Sequence, residues 1–473
     1  MSKPEIKPNL PPHGSQIHLI GIGGTGLSNI AFFLMSSGFK VTGSDYLDSP
    51  IIQSLRERGA KIFIGHQSAN ILRNIKLVIK SAAISEDNPE IVRAKKYGIP
   101  IIKYAEALGL LLNQKIGIAV SGTHGKTTTS SLISYLLHRS ELDPSFIVGG
   151  VLSDFNTGAH CGKGKYFVAE ACEYDRSFHH LSGKIKIVNN IEPDHMDYYK
   201  TIDNLVESFH KFIAAMPSDG YVVANIENKN VLKCLRMGTN ASVVTFSSKE
   251  NKNSQWYPKN IRVVNDCWYF DAYKNSKKYG SFEMGIPGDH NVTNGLVAVI
   301  VSSLLGLGRN ITKKSLAEFG GVKRRFEVIA RINGRLIIDD YAHHPTEVDT
   351  VLKTARKLFP GRRLWIVFQP HLYSRTKLFL KQFVRILSEA DIVIMPPIYA
   401  ARDTSPEQRT ISSQDVVDKV NRAGGNARYF ADFNDIANYL KLNTIKADII
   451  ITVGAGDGWQ IGTRFIELLK QCP

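Results

Sequence analysis

The chain has 473 residues, too many for one ordinary core, so two or three domains are expected. Its 43% hydrophobic and 22% charged residues describe a soluble globular protein and exclude a disordered or fibrous one. The formal net charge of +16 suits anionic ligands; with no long basic run, zinc spacing or aromatic-basic ribonucleoprotein signature beside it, nucleic acid is not an expected partner.

Five cysteines are scattered at Cys161, Cys172, Cys234, Cys267 and Cys472, with no metal or redox spacing, which fits a reducing cytoplasmic setting. The polar, proline-bearing start is no signal peptide and reads as a mobile tail over residues 1–15. The longest apolar run, Leu296 to Leu307, is interrupted by Ser302, Ser303 and Gly306 and is too short to span a bilayer, so no membrane insertion is expected.

Gln16–Ile20 reads as a strand running into Gly21-Ile22-Gly23-Gly24-Thr25-Gly26, then a helix over 27–37 and a second strand, Lys40–Asp45. Gly-x-Gly-x-x-Gly with an acid ending the next strand predicts a diphosphate at a helix N-terminus. Taken alone it admits an NAD-dependent oxidoreductase as well as other nucleotide diphosphates. Strands over 61–66, 77–80 and 101–102 continue the β/α alternation, and the first domain closes near Gln114.

A buried strand over 115–120 opens the second domain and leads into Gly122-Thr123-His124-Gly125-Lys126-Thr127-Thr128, followed by a helix. Backbone N–H groups and the helix dipole there favour phosphate; Lys126 can reach β/γ-phosphates and the Thr127 hydroxyl can ligate Mg²⁺. The loop is a variant, because Val120 stands where the strict pattern has glycine. Strands over 166–170 and 185–190 end in polar residues, first Glu170 and Glu173, then Glu192, Asp194, His195 and Asp197. Oxygen ligands and a histidine at strand C-termini suit Mg²⁺ held with substrate phosphates. Residues 249–281 read as a β-rich insertion. His290 and Asn294 follow, four apart on one helical face, and an Asn amide can both donate to and accept from an adenine edge.

Gly320–Glu327 has linker character, glycines and then a basic cluster, and marks the second boundary. Strands over 335–340, 364–370, 391–395 and 448–453 follow. The first, second and last run into polar loops at Tyr341–Glu347, His371–Thr376 and Gly454–Asp457. The expected domains are thus 1–114, 115–324 and 325–473.

Seven motifs in this order resemble the ATP-dependent muramyl ligases of peptidoglycan synthesis, over roughly residues 16 to 465. They are Gly-Ile-Gly-Gly-Thr-Gly at 21–26, Gly-Thr-His-Gly-Lys-Thr-Thr at 122–128, Asn-Ile-Glu-Pro-Asp-His-Met-Asp at 190–197 and His-Asn-x-x-Asn at 290–294. Arg-Arg-Phe-Glu at 324–327, Asp-Asp-Tyr-Ala-His-His-Pro-Thr-Glu at 339–347 and Gln-Pro-His-x-Tyr-Ser-Arg-Thr at 369–376 complete the set. The resemblance implies an α/β protein of three domains: a Rossmann-like UDP-binding domain, a central phosphate-loop ATPase-like domain with a mostly parallel sheet, and a Rossmann-like C-terminal domain that takes the amino acid. It implies ATP-dependent joining of L-alanine to the carboxylate of UDP-N-acetylmuramate through an acyl phosphate, by a monomer or homodimer.

By the same resemblance, Gly122, Thr123, His124, Gly125, Lys126, Thr127 and Thr128 hold the ATP phosphates, and Thr127, Glu170 and His195 hold Mg²⁺. His290 and Asn294 meet adenine, Asp340 the ribose, and Arg325 the phosphates. Gly23, Gly24, Thr25 and Gly26 take the UDP pyrophosphate, with Asp45 and His66 on the uridine side. Tyr341, His343 and Arg375 bind the amino acid, with Arg375 on its carboxylate and His343 orienting the amine or accepting its proton. Lys126, Arg325, His343 and Arg375 are the expected catalytic set, and a hinge near Lys323–Arg325 is expected to close on nucleotide.

The chain departs from its relatives at Leu372, where many are basic, and at Cys172 and Tyr174, where others carry Asp and Ser. His210 stands near the position where some relatives carry a carbamylated lysine, so that modification is not expected. Three rivals remain: a recycling ligase that adds a preformed tripeptide, which lacks an arginine matching Arg375; an NAD-dependent oxidoreductase, which leaves the Lys126 loop and third domain without a task; and a non-enzymatic nucleotide-binding regulator.

Overall fold

A computed structural model of the chain describes residues 9–401, 403 and 410–471, and only the backbone at Asp197. The tail expected over 1–15 therefore lies partly outside the described residues. The first sheet is wholly parallel, with strands β1 (Gln16–Ile20), β2 (Lys40–Asp45), β3 (Lys61–Ile64), β4 (Ile75–Lys80) and β5 (Ile101–Lys103) in the order β3-β2-β1-β4-β5. Ile17, Leu19 and Ile20 of β1 and Leu77, Val78 and Ile79 of β4 are all buried, as a sheet covered on both faces by helices requires. The chain reverses about β1, so the β1–helix turn lies at a switch point where such sheets bind ligands.

The central sheet has ten strands: β6 (Ile116–Ser121), β7 (Ser145–Leu152), β8 (Thr157–His160), β9 (Tyr166–Glu170), β10 (Ile185–Val188), β11 (Tyr221–Asn225), β12 (Ser242–Phe246), β13 (Trp256–Val264), β14 (Cys267–Lys274) and β15 (Lys277–Met284). Their order is β15-β14-β13-β12-β11-β10-β6-β9-β7-β8. The insertion expected over 249–281 is the antiparallel meander β13–β15, anchored by fully buried Trp256 and Trp268. β6 lies between β9 and β10, parallel to both. That neighbourhood puts Glu170 on one side of the Lys126 loop and Asn189–His195 on the other.

The third sheet has β16 (Glu327–Ile332), β17 (Arg335–Asp340), β18 (Leu364–Phe368), β19 (Ile392–Met395), β20 (Ala427–Tyr429) and β21 (Ile449–Val453), in the order β16-β17-β21-β18-β19-β20, parallel except for the edge pair β16–β17. Late-arriving β21 inserts between β17 and β18. Their three polar loops therefore emerge side by side.

The chain forms two contact units: one runs to Ile286 and resumes over Asn291–Gly320, the other holds Pro287–His290 and everything from Gly321 on. The first unit carries both the first and the central sheet, joined by one hydrophobic cluster that runs from Ile17 through Leu108 and Leu112 to Phe167. The Phe33 and Phe167 rings meet across this seam at 5.3 Å. Asn29 Nδ2 donates to the Val148 carbonyl at 2.9 Å, and Lys103 Nζ to Asp175 at 2.9 Å. A Cβ on Gly109 would lie 2.4 Å from the His180 carbonyl oxygen, so only glycine lets the helix Tyr104–Leu112 dock there. Two domains that read as separate in sequence thus share a packed interface. Among the described residues no helix is long and apolar enough to cross a membrane.

Candidate active site

The Lys126 loop is shaped by two left-handed glycines, Gly122 at φ +139° and Gly125 at φ +78°. A Cβ on Gly125 would sit 2.9 Å from Asn294 Oδ1. The helix Lys126–Arg139 starts with no side-chain cap, so its first N–H groups have no protein acceptor within the helix. Those donors and the dipole make an anion site. The loop is held from the β10 side: Asn190 Oδ1 accepts from His124 N at 2.8 Å, and the Asn190 carbonyl accepts from Thr123 N at 3.1 Å. From beneath, Thr129 Oγ1 accepts from Asn189 Nδ2 and donates to Asn294 Oδ1, while Asn294 Nδ2 donates to Asn291. Asn294 is therefore first a support of the loop, with one hydrogen and one lone pair left for a ligand edge. His124 approaches Glu192 at 3.3 Å. Thr128, on the first turn, is half-buried.

Lys126 Nζ donates to the carbonyls of Gly122 and Thr123, the latter at 3.0 Å, and pairs with Glu173 at 3.0 Å. Burial opposes its charge, but the Glu173 and Glu170 carboxylates outweigh burial and raise its pKa. Neighbouring Cys172 is pushed up to about 12, chiefly by burial, and stays a neutral thiol. Glu170 Oε2 accepts from Thr127 Oγ1 at 2.8 Å and from Gly149 N at 2.9 Å. A Cβ on Gly149 would come within 2.6 Å of that oxygen, so β7 needs glycine there. His195, beyond β10, sits at φ +54° with its ring 4.9 Å from Tyr174 and Nε2 3.7 Å from Asp194.

In the first domain, the helix Thr25–Ser36 starts at the glycine turn, again without a side-chain cap. Gly23 N donates to Asp45 Oδ2 at 2.8 Å, and Gly24 N to the Gly21 carbonyl at 3.2 Å. Asp45 thus braces the turn, and the donors left for a diphosphate are the first-turn N–H groups from Thr25 and Gly26 onward. His66 Nδ1 meets Ser44 Oγ at 2.9 Å, and Ser44 donates to fully buried Glu90 at 2.6 Å. Asn70 and His18 complete this network, which holds Glu90 ionised: burial opposes its charge, but the His18 ring 3.7 Å away and hydrogen bonds from Ser44 and Asn70 lower its pKa.

In the second unit, Asp340 accepts from Phe326 N and Ala342 N, each at 2.7 Å. Burial nonetheless pushes its pKa up to about 6 against these donors and Arg325. Arg324 and Arg325 both lie over the Tyr341 ring, at 5.1 and 5.2 Å. Arg324 is fixed by Asp339 and the Gly454 and Gly456 carbonyls, whereas Arg325 is the cation expected at phosphate. His343 Nδ1 meets the Tyr341 carbonyl at 3.1 Å, and its ring lies 5.6 Å from His371. Arg375 Nη1 lies 3.1 Å from His371 Nδ1, and His371 stacks on Tyr399. Tyr341, His343 and Arg375 are therefore linked through His371. Leu372 is buried with φ +70°, so its side chain belongs to the core of its domain. His290 lies in the first turn of the helix Asp289–Leu304, its ring folded against Gly288.

Sequence reading passed over Asn189, Asn190, Glu90, His371 and Tyr104 as site residues, and offered Glu173 as a metal ligand where the structure pairs it with Lys126. An Asn-Asn pair directly after β10 was a visible signal. Glu90 and Tyr104 left none, because their importance arises from contacts across 20 or more positions.

Three family models match in chain order: Mur ligase family, catalytic domain, over residues 16–116; Mur ligase middle domain, over 120–302; and Mur ligase, glutamate ligase domain, over 324–456. The chain is 41% identical to the UDP-N-acetylmuramate–L-alanine ligase of Caldanaerobacter subterraneus subsp. tengcongensis, covering 96% of this chain and 98% of that one. It is 40% identical to the ligase of the same name from Acetivibrio thermocellus, covering 95% of each. Among solved structures, the UDP-N-acetylmuramate-alanine ligase of Thermotoga maritima superposes with a TM-score of 0.83 at 28% identity, over 97% of this chain and 100% of that one. A murein peptide ligase from Psychrobacter arcticus gives 0.73 at 26% identity, with the same coverage. With all three of its domains matched and this identity sustained along nearly its whole length, the chain belongs to the Mur ligase family.

Proposed function

We propose that the protein uses ATP to join L-alanine to the carboxylate of UDP-N-acetylmuramate, a cytoplasmic step of peptidoglycan precursor synthesis. The observation that carries this reading is the pairing, in one contact unit, of a diphosphate turn at Gly23–Gly26 with the Lys126 loop and its Thr127–Glu170 contact. A carboxylate is a poor electrophile because oxide would have to leave. Attack of its oxygen on the γ-phosphorus breaks the bond to ADP and makes an acyl phosphate. The amine then attacks the acyl carbon, phosphate leaves, and the ammonium proton passes to a base. Such phosphoryl transfer needs positioning and neutralised charge more than covalent help.

Lys126, held protonated by Glu173, lies over the β/γ-phosphates. Gly122, Thr123, His124, Gly125 and Thr128 shape the phosphate cradle. The hydroxyl of Thr127, the carboxylate of Glu170 and the imidazole of His195 form an oxygen-rich donor set that fits Mg²⁺, which supplies charge neutralisation when bound. Thr25 and Gly26 donate to the pyrophosphate, with Gly23 and Gly24 shaping the turn, and the Glu90 network orients His66 towards the uridine. In the second unit, Arg375 pairs the alanine carboxylate and His343, beside Tyr341, orients the amine. Arg325 meets phosphate, Asp340 the ribose, and His290 and Asn294 the adenine. Residues 1–114, 115–324 and 325–473 divide these tasks. Single-alanine addition is favoured over tripeptide addition by the names of the 40%-identical relatives, and the oxidoreductase reading by nothing beyond Gly21–Gly26.

ADP release with UDP-N-acetylmuramate and each amino acid in turn tests the reading. Release that depends on both UDP-N-acetylmuramate and L-alanine is expected. Release with a tripeptide but not with L-alanine would overturn it.

A further inference from the structure

Tyr104 starts the helix that docks the first domain on the central one, and no motif includes it. Its ring lies against the diphosphate turn: a Cβ on Gly26 would meet Tyr104 Cε2 at 2.9 Å and Cζ at 3.0 Å. Its hydroxyl lies within the electrostatic reach of Glu170 and Cys172. The helix that carries it packs on the strand Tyr166–Glu170, so one side chain lies against the turn where a pyrophosphate would sit and within the field of the carboxylate that touches Thr127. The seam beside it is held by Asn29 on the Val148 carbonyl, and the next residue, Gly149, donates its N–H to Glu170, so the first domain is tied to the strand that braces this carboxylate.

A nucleotide-linked sugar acid that lays its diphosphate on Gly26 and its carboxylate near Thr127 must carry its hexose past this phenol. We propose that Tyr104 is a positioning residue for that hexose, its hydroxyl donating to a sugar or ether oxygen of the substrate while its ring sets the distance from the pyrophosphate to the acid. The inference rests on the reading of the substrate given above. A neutral donor suits a place already crowded by Glu170, a substrate carboxylate and phosphates, where a further anion would repel. Burial, reinforced by Glu170 and Cys172, raises the phenol's pKa, so it keeps the proton it would donate. Glycine at position 26 fits the same account, because any side chain there would displace the ring.

The test is calorimetric titration, without ATP, of wild type, Tyr104→Phe and Tyr104→Leu with UDP-N-acetylmuramate and with UDP. Loss of one hydrogen bond predicts about tenfold weaker binding of UDP-N-acetylmuramate to Tyr104→Phe, more for Tyr104→Leu, and unchanged binding of UDP to Tyr104→Phe. Equal weakening of both ligands would mean that Tyr104 only props the turn, and no weakening of either would remove it from the site; each overturns the proposal. Failure of the ligase reading would appear elsewhere, as a wild type that binds UDP-N-acetylmuramate yet releases no ADP with L-alanine.

Discussion

Two lysines of the central domain are both withdrawn from water, and their surroundings drive them in opposite directions. Lys126, on the phosphate loop, has two backbone carbonyls and the Glu173 carboxylate around its ammonium, and its pKa is raised. Lys186, on the neighbouring strand β10 and 1% exposed, has the Phe212 carbonyl at 2.6 Å and the Phe212 ring at 4.2 Å. Burial drives its pKa down to about 8. Phe212 lies near the C-terminal end of the helix Ile202–Ala214, so Lys186 satisfies a carbonyl that the helix leaves without an internal partner. Burial costs both ammonium groups their hydration, and counter-charge decides which holds its proton more tightly. The lysine of the phosphate loop has carboxylates beside it. A lysine that serves packing does not.

The sharpest way to break this contrast is to remove the functional cation. Lys126→Ala is expected to lower the rate of ADP release about 10³-fold, as loss of a preorganised charge at a phosphoryl group does, while circular dichroism shows an intact fold. Near-normal turnover would place phosphate neutralisation elsewhere.

The structural lysine should report through stability instead. Between pH 8 and about 10.4 the unfolded chain binds a proton at Lys186 that the folded chain lacks, so stability rises with pH across that window. A shift of this size corresponds to roughly 3 kcal/mol when the window is complete. Urea titrations from pH 7.5 to 10 should show the gain in wild type and its loss in Lys186→Met, with KM for ATP unchanged. Parallel pH curves for the two proteins would mean that Lys186 keeps its proton.

The smallest effect should come from blurring the difference. Glu173→Gln removes the carboxylate that pairs with Lys126 but keeps its shape. About a tenfold fall in kcat is expected, with activity declining at lower alkaline pH than in wild type because Lys126 then loses its proton more easily. A rate unchanged across pH 7–10 would show that Glu170 alone sustains the charge.

Much of this site was legible in the order of residues. Glycines followed by Lys126-Thr127 after an apolar strand specify a phosphate loop by local chemistry alone, because backbone donors and helix dipole come with the turn. Glu170 was legible for the same reason, ending β9 of a mostly parallel sheet whose ligand edge is fixed by topology, whereas His195 lies seven residues beyond the end of β10. The Asp45 brace on Gly23 and the loop-supporting role of Asn294 were not, since an acid after a strand or an amide on a helix says nothing of which donor it will meet.

By itself the sequence determined which segments become strands and helices, where the phosphate turns fall, and which ionisable groups end up at strand ends, because apolar period and turn chemistry act over a few residues. Tertiary structure alone decided that the first two domains share one core, that the Tyr104 ring lies against Gly26, and that Lys126 and Lys186 part company. Those outcomes depend on which distant groups exclude water from a side chain and which charges remain within a few ångströms of it, and no local pattern encodes either.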